Sequence, residues 1–249
     1  MTLRETPVPA PLGILQLANA PFQAPGFVNA EETWGRAILA HRVKGAFVSR
    51  IIAQEPGIEA GYVAGAKDLE ARGAGLILSN CGLTVLYQAA IAEAVALPVL
   101  TSSLLALPGL QRQMPAGRAI GVLTYDTNLC SERLFDLIGA DPAGIVVEGL
   151  NGSESFDMLA RAEPRCDWPM LERDLMAAAG RLLARADGLS AIVVECTTFC
   201  PFIDDMRQRF GLPIFDFVWL VKAHLAAYPV AGDDTDRPGR HGKRDRESR

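Results

Sequence analysis

Nowhere does the chain carry a run approaching the ~20 apolar residues that cross a bilayer, and residues Met1 to Pro11 hold three prolines, one arginine and one glutamate rather than a leader-like apolar segment. The expectation is a cytoplasmic protein with no membrane partner. There is no excess of positive charge either. Against 29 acidic residues stand 24 lysines and arginines, a formal charge of −5, so no basic field exists to attract nucleic acid. Histidine is scarce: His41, His224 and His241 stand in helical stretches or in the charged carboxyl-terminal tail, away from any cysteine-bearing turn. That leaves Cys-His nucleophilic catalysis without its base. The Cys196-x-x-x-Cys200 pair has no histidine or second cysteine pair beside it, so no metal site is expected. Neither a lysine-bearing phosphate loop nor a Gly-x-Gly-x-x-Gly turn follows any strand-like run, so a nucleotide is not indicated. Five cysteines, an odd number, argue against a disulfide framework.

What is present is an ordinary globular composition, 49% hydrophobic and 21% charged over 249 residues. Such a chain is long enough to bury roughly 70–75% of its unfolded surface without staples. Two stretches share one grammar. Gly75-Leu76-Ile77-Leu78 reads as a buried strand that breaks at Ser79-Asn80-Cys81-Gly82 before a helix from Val85 to Val95. Far downstream, Ala191-Ile192-Val193-Val194 runs into Glu195-Cys196-Thr197-Thr198, with Pro201 marking a helix start.

Between these anchors strands and helices alternate. Leu12–Leu17 is the first strand and Glu31–Arg42 has helical spacing. Gly45–Ile52 reads as the second strand, and Ile58–Arg72 as an amphipathic helix. Pro98–Ser102 is a strand and Leu104–Gln113 a helix interrupted at Pro108. After Gly117-Arg118 the alternation restarts with a strand at Ala119–Thr124, a helix at Asn128–Ile138, a strand at Gly144–Val147 and a strong helix at Leu171–Ala186. Pro213–Phe217 and Val218–Tyr228 complete it as strand and helix, and from Gly232 mixed charges predict a disordered tail. The pattern predicts an α/β protein of two similar lobes, each a mainly parallel sheet flanked by helices. Ligands in such sheets bind off the carboxyl ends of the strands, where both cysteines fall.

Two thiols flanking one carbon form the minimal device for moving a proton next to a carboxylate. One sulfur removes the proton and the other returns it to the opposite face, each ~3–3.5 Å from the carbon. A thiol's ordinary pKa of about 8.5 suits both tasks. Cys81 and Cys196 are therefore the candidate pair, with Cys130 and Cys166 read as structural. Thr84 is read by default as a helix cap, while helix starts after each cysteine would favour a thiolate and a carboxylate.

At these turns the sequence resembles the aspartate/glutamate/hydantoin racemase superfamily, in particular its members with Ser-Asn-Cys-Gly and Glu-Cys-Thr at the two cysteines. Tyr87-Gln88, Pro98–Ser103 and Leu212–Asp216 extend the likeness over most of Leu12 to Tyr228. The resemblance implies two pseudo-symmetric lobes, residues 1–116 plus 215–230 and residues 117–214, with the tail at 231–249 and the active site in the cleft between the lobes. It also implies racemisation or epimerisation of an amino acid or related small carboxylate by Cys81 and Cys196, without pyridoxal phosphate, metal or other cofactor. Substrate contacts would come from Gln16, Asn29, Asn80, Gly82, Thr84, Thr197 and Thr198, and the protein would be a homodimer. The loop Ala18–Gln23, Phe27 where relatives often have an aspartate, and Thr198 where glutamate racemases have a histidine leave the site less charged than a dicarboxylate needs. An apolar substrate or a ring such as a hydantoin is then comparably suited. Two other readings stay open on this fold: a decarboxylase or cis-trans isomerase of small dicarboxylates, and a non-catalytic small-ligand binder.

Overall fold

Short β-branched runs, each closed by a turn and followed by a helix, build two parallel sheets. The computed structural model describes residues 9–19, 22–115, 117–159, 161, 165–185 and 188–228. The first lobe runs β1 (Leu12–Gln16), α1 (Glu31–Trp34), β2 (Ile38–Arg42), α2 (Val48–Ile52), α3 (Ile58–Ala71), β3 (Leu76–Ser79), α4 (Gln88–Ala94), β4 (Val99–Leu100) and α5 (Leu107–Gln113). The second runs β5 (Ile120–Thr124), α6 (Glu132–Leu137), β6 (Ile145–Gly149), α7 (Glu154–Leu159), α8 (Trp168–Arg185), β7 (Ala191–Val194), α9 (Ile203–Phe210) and β8 (Ile214–Phe215). The last helix, α10 (Phe217–Ala227), follows directly.

The two sheets have the same strand order, β2-β1-β3-β4 and β6-β5-β7-β8, with every pairing parallel. Register matches as well: Leu15 pairs with Ser79 at the end of β3, and Leu123 with Val194 at the end of β7. The pseudo-symmetric two-lobe α/β architecture expected from the alternation is the one observed.

Because both faces of each sheet are covered, inner strands split their side chains between two cores. In β1, Leu15 faces α3, whereas Leu12 and Ile14 face the opposite side, against Val28, Trp34 and α10. In β7, Val193 joins the core of the first lobe, whereas Ile192 and Val194 pack with α8 and α9. One apolar cluster thus runs from α3 through to Ile120, Val122, Phe135 and Val193, and fuses the lobes. The helix α10 packs on the first sheet through Phe217 and Val221, with Asp216 capping it by accepting from the Trp219 N–H at 3.0 Å.

Three local expectations are overturned. The helix expected over Glu31–Arg42 stops at Trp34, where Gly35 takes the left-handed conformation (φ 64°) that ends a helix. The strand expected at Gly45–Ile52 lies instead at Ile38–Arg42. Val48, Ile51 and Ile52 have the i, i+3, i+4 spacing of a helix face and form α2. Pro108 does not interrupt a helix but opens α5, at a position whose N–H has no intrahelical partner. The charged tail and residues 20 and 21 of the first loop lie outside the described residues. No helix among those described is long and apolar enough to cross a membrane.

Phe217 is completely buried where α10 meets the first sheet. Truncation to alanine is expected to cost about 3–5 kcal/mol in urea unfolding, whereas Leu137→Ala, on a side chain 56% exposed, should stay within about 0.5 kcal/mol. Equal effects would contradict the docking of α10 as a structural element of this lobe.

Candidate functional site

Pseudo-symmetry brings two equivalent loops together at the carboxyl ends of the sheets. Ser79 and Val194 end their strands, and Asn80-Cys81 and Glu195-Cys196 follow. The Asn80 and Glu195 N–H groups make matching bonds to the carbonyls of Leu15 and Leu123, at 3.1 and 2.9 Å. After each cysteine the chain tightens into a six-residue 3-10 segment, Gly82–Tyr87 and Thr197–Phe202, before α4 and α9 begin. Each cysteine thus occupies the N-cap position of a 3-10 turn rather than facing the start of an α-helix.

The loops cross-link the lobes. Thr197 Oγ1 donates to the Asn80 carbonyl at 2.5 Å, and Ser103 Oγ donates to the Val194 carbonyl at 2.6 Å. Gly82 sits directly on Glu195, and a Cβ there would collide with both the carboxylate and the carbonyl of that residue. Only glycine permits this approach.

A cleft of about 680 Å³ opens between the lobes and is lined by Cys81 and Cys196. Of the other sequence-predicted residues, Asn29, Asn80, Gly82, Thr197 and Thr198 also line it. Two do not. Thr84 is fully buried beneath Cys81, where its hydroxyl accepts from Ser79 Oγ at 2.8 Å. The 3-10 turn rotates it away from the opening, so it contacts the thiol rather than a substrate. Gln16 is spent on positioning: its Nε2 donates to Asn29 Oδ1 at 2.9 Å. Asn80 likewise has its side-chain oxygen engaged, accepting from the Leu17 N–H at 3.0 Å.

The rest of the lining is mostly apolar and escaped the sequence reading. Phe22, Phe27 and Phe47 come from the first lobe, and Tyr125 and Phe156 from the second. Tyr125 and Phe156 stack at 4.6 Å, and Phe22 and Phe27 pack against Trp168 of the second lobe at 5.2 and 5.1 Å. Thr33 fixes the Phe27 loop by donating to the Phe27 carbonyl (2.6 Å) and accepting from the Gly26 N–H (3.0 Å). Charge enters at three lining positions, Asp126, Arg161 and Glu195.

Burial dominates the electrostatics. The Cys81 thiol is pushed up to about 12 by desolvation first and by the Glu195 charge second. The N–H groups of Leu83 and Thr84 and the Thr84 hydroxyl oppose that rise. Cys196 is pushed upward by the same two causes, opposed by the N–H and hydroxyl of Thr198. Glu195 is raised to about 7 by burial, against one hydrogen bond donated by Thr124 Oγ1 to its Oε2 at 2.8 Å. Cys130 is buried nearby and senses the same carboxylate. Cys200 lies deeper, bonded to Asp216 at the start of α10. No group of three or more His, Cys, Asp or Glu among the described residues is arranged to hold a metal ion.

Two similar parallel-sheet lobes facing each other across a cleft are also the fold of solved racemases and of a decarboxylase, and the chain has that fold. Allantoin racemase from Klebsiella pneumoniae superposes with a TM-score of 0.59 at 13% identity, over 87% of this chain and 88% of that one. Unliganded arylmalonate decarboxylase gives 0.56 at 20% identity, over 92% and 96%. Glutamate racemase from Aquifex pyrophilus gives 0.52 at 13%, over 89% and 84%. Among curated sequences, a dimethylsulfoniopropionate lyase of Durusdinium sp. clade D is 28% identical over 153 residues, 59% of this chain and 50% of that protein. Dimethylsulfoniopropionate lyase 5 of Emiliania huxleyi (strain CCMP1516) is 30% identical over 187 residues, 69% and 36% respectively. The matches span half or less of these relatives' own length. No family model matches the chain.

The Gly82–Glu195 contact yields a direct test. Gly82→Ala should lower stability to urea by about 1–3 kcal/mol, because one of the colliding atoms is backbone and cannot rotate away. Gly109→Ala, in α5 with open space around it, should be neutral or stabilising by up to ~1 kcal/mol. A Gly82 variant as stable as the wild type would show that the two loops do not meet as described.

Proposed function

We propose that Cys81 and Cys196 form a cofactor-independent proton-transfer pair acting on the carbon next to a substrate carboxylate, and that the reaction is an elimination. The substrate class is a small carboxylate with a methyl-rich cationic leaving group on the β carbon, of the dimethylsulfoniopropionate type named in the sequence relatives. A thiolate takes the α proton and the C–H electron pair becomes the C=C bond. The C–S bond breaks and its electrons leave with the neutral sulfide. No oxidant, reductant or metal enters the balance.

The observation that carries this reading is the lining of the cleft: two thiols at equivalent strand ends, facing a space walled by Phe22, Phe27, Phe47, Tyr125 and Phe156. Aromatic faces attract a sulfonium or quaternary ammonium group by about 0.5–2 kcal/mol each when water is excluded. Arg161, Asn29 and Thr198 also line the cleft and are the groups that would receive the carboxylate. A wall of this kind suits a dicarboxylate poorly.

Racemisation is the second reading, and one feature favours it: an elimination needs one base, whereas this cleft has a thiol from each lobe. Both reactions begin with the same proton abstraction. The enzyme is expected to release dimethyl sulfide and acrylate from dimethylsulfoniopropionate, measured by headspace chromatography. Cys→Ser at the thiol serving as base should lower the rate by about 10²–10⁴-fold. Parallel deuterium exchange at the α carbon of amino acids, allantoin and hydantoins distinguishes the two readings. Exchange with loss of optical rotation that needs both Cys81 and Cys196, without sulfide release, would replace elimination by racemisation. Neither product nor exchange would overturn both.

A further inference from the structure

The two cysteine loops share two equivalent backbone bonds, Asn80 N–H to Leu15 with Glu195 N–H to Leu123 and Thr84 N–H to Cys81 with Phe199 N–H to Cys196, yet one pair of equivalent positions differs in charge. Asn80 precedes Cys81 and Glu195 precedes Cys196, and each N–H is held by the corresponding neighbouring strand. Asn80 is neutral and its side-chain oxygen is satisfied by a backbone N–H. Glu195 is an acid only 3% exposed, wedged against Gly82 and therefore next to both thiols. Among the described residues its one hydrogen-bond partner is the Thr124 hydroxyl, and no basic side chain forms an ion pair with it. Facing it are Cys81 from the loop after β3, Cys196 beside it and Cys130 from the segment between β5 and α6. Tyr125, Asp126 and Arg161 also line the cleft. A second negative charge in so dry a space is strongly opposed by the first.

We propose that Glu195, Cys81 and Cys196 share a single negative charge, which rests on the Glu195 carboxylate and passes to sulfur when that carboxylate takes a thiol proton. The S–H bond breaks, an O–H bond forms, and the net charge of the cleft is unchanged. Glu195 is in this sense a positioning residue, acting through the thiols. The inference concerns the same thiols as the proposed elimination but is tested without any substrate, so the two fail separately. The direction of the shifts agrees with it: burial brings Glu195 to about 7, and its charge adds to the burial that raises Cys81.

The test is the rate of alkylation by iodoacetamide at Cys81 and Cys196, followed by peptide mass spectrometry from pH 5 to 10. In the wild type the rate should climb with pH and level off above about 7, where the charge resides on Glu195. In Glu195→Gln the levelling should vanish, so that both thiols react roughly tenfold faster than wild type at pH 8 and roughly a hundredfold faster at pH 9. Glu195→Asp should restore the plateau. Thr124→Val, which removes the hydrogen bond that favours the ionised form, should move the break to higher pH. A wild-type profile without a break, or a break that persists unchanged in Glu195→Gln, overturns the proposal. Circular dichroism identifies any variant that has lost its fold, and Thr124→Val, nearly isosteric, supplies an independent measurement.

Discussion

The two lobes meet where a glycine from one lies flat on a glutamate from the other. Gly82 has no side chain to hold Glu195 away, so the turns bearing Cys81 and Cys196 reach within contact of each other. The Thr197–Asn80 and Ser103–Val194 hydrogen bonds then fix the approach from both sides. Everything chemically distinctive about the cleft depends on that closeness. It gives the dryness that raises the thiols, the burial of one carboxylate beside them, and the juxtaposition of groups far apart in sequence. Matching strand order in the two sheets makes the contact nearly two-fold, and Asn80 opposite Glu195 is where the symmetry is broken.

Racemisation, decarboxylation and elimination begin or pass through the same species, a carbon bearing excess charge beside a carboxylate. A fold that stabilises this species can support any of the three, and the outcome depends on what else is bonded to that carbon and its neighbour. The structural neighbours, two racemases and a decarboxylase, therefore establish the fold while leaving the reaction to the walls of the cleft. Those walls are mostly apolar. Five aromatic side chains surround the opening, and the lining contributes one cation, Arg161.

The sequence made the architecture legible because each inner strand is a short continuous apolar run ended by a polar turn, a pattern that parallel sheets require. The same reasoning placed both cysteines correctly at the strand ends. It misjudged the segment from Glu31 to Ile52. The true strand there, Ile38–Arg42, is a half-exposed edge with His41 and Arg42 in it, and the apolar run after Gly45 looked more strand-like than it is. That exchange of helix and strand hid α2, whose Val48, Ser49 and Ile52 line the cleft. In the sequence Glu195 stands out only as part of the Glu-Cys-Thr motif. Aligning the two cysteine loops on each other, Asn80 against Glu195, would have exposed it. The aromatic lining had no comparable signal, since Phe22 and Tyr125 come from loops and Phe156 from α7, and they converge only in three dimensions.

Trp168 lies at the amino end of α8 in the second lobe, yet its ring packs edge-on against Phe22 and obliquely against Phe27, both on the loop after β1 in the first. Of the three tryptophans, Trp34 is buried within the first lobe and Trp219 packs against Phe215, so only Trp168 joins rings across the cleft. Its indole is consequently a built-in optical gauge of the gap: any change in the separation of the lobes at the mouth alters the environment of one emitter, with no label added.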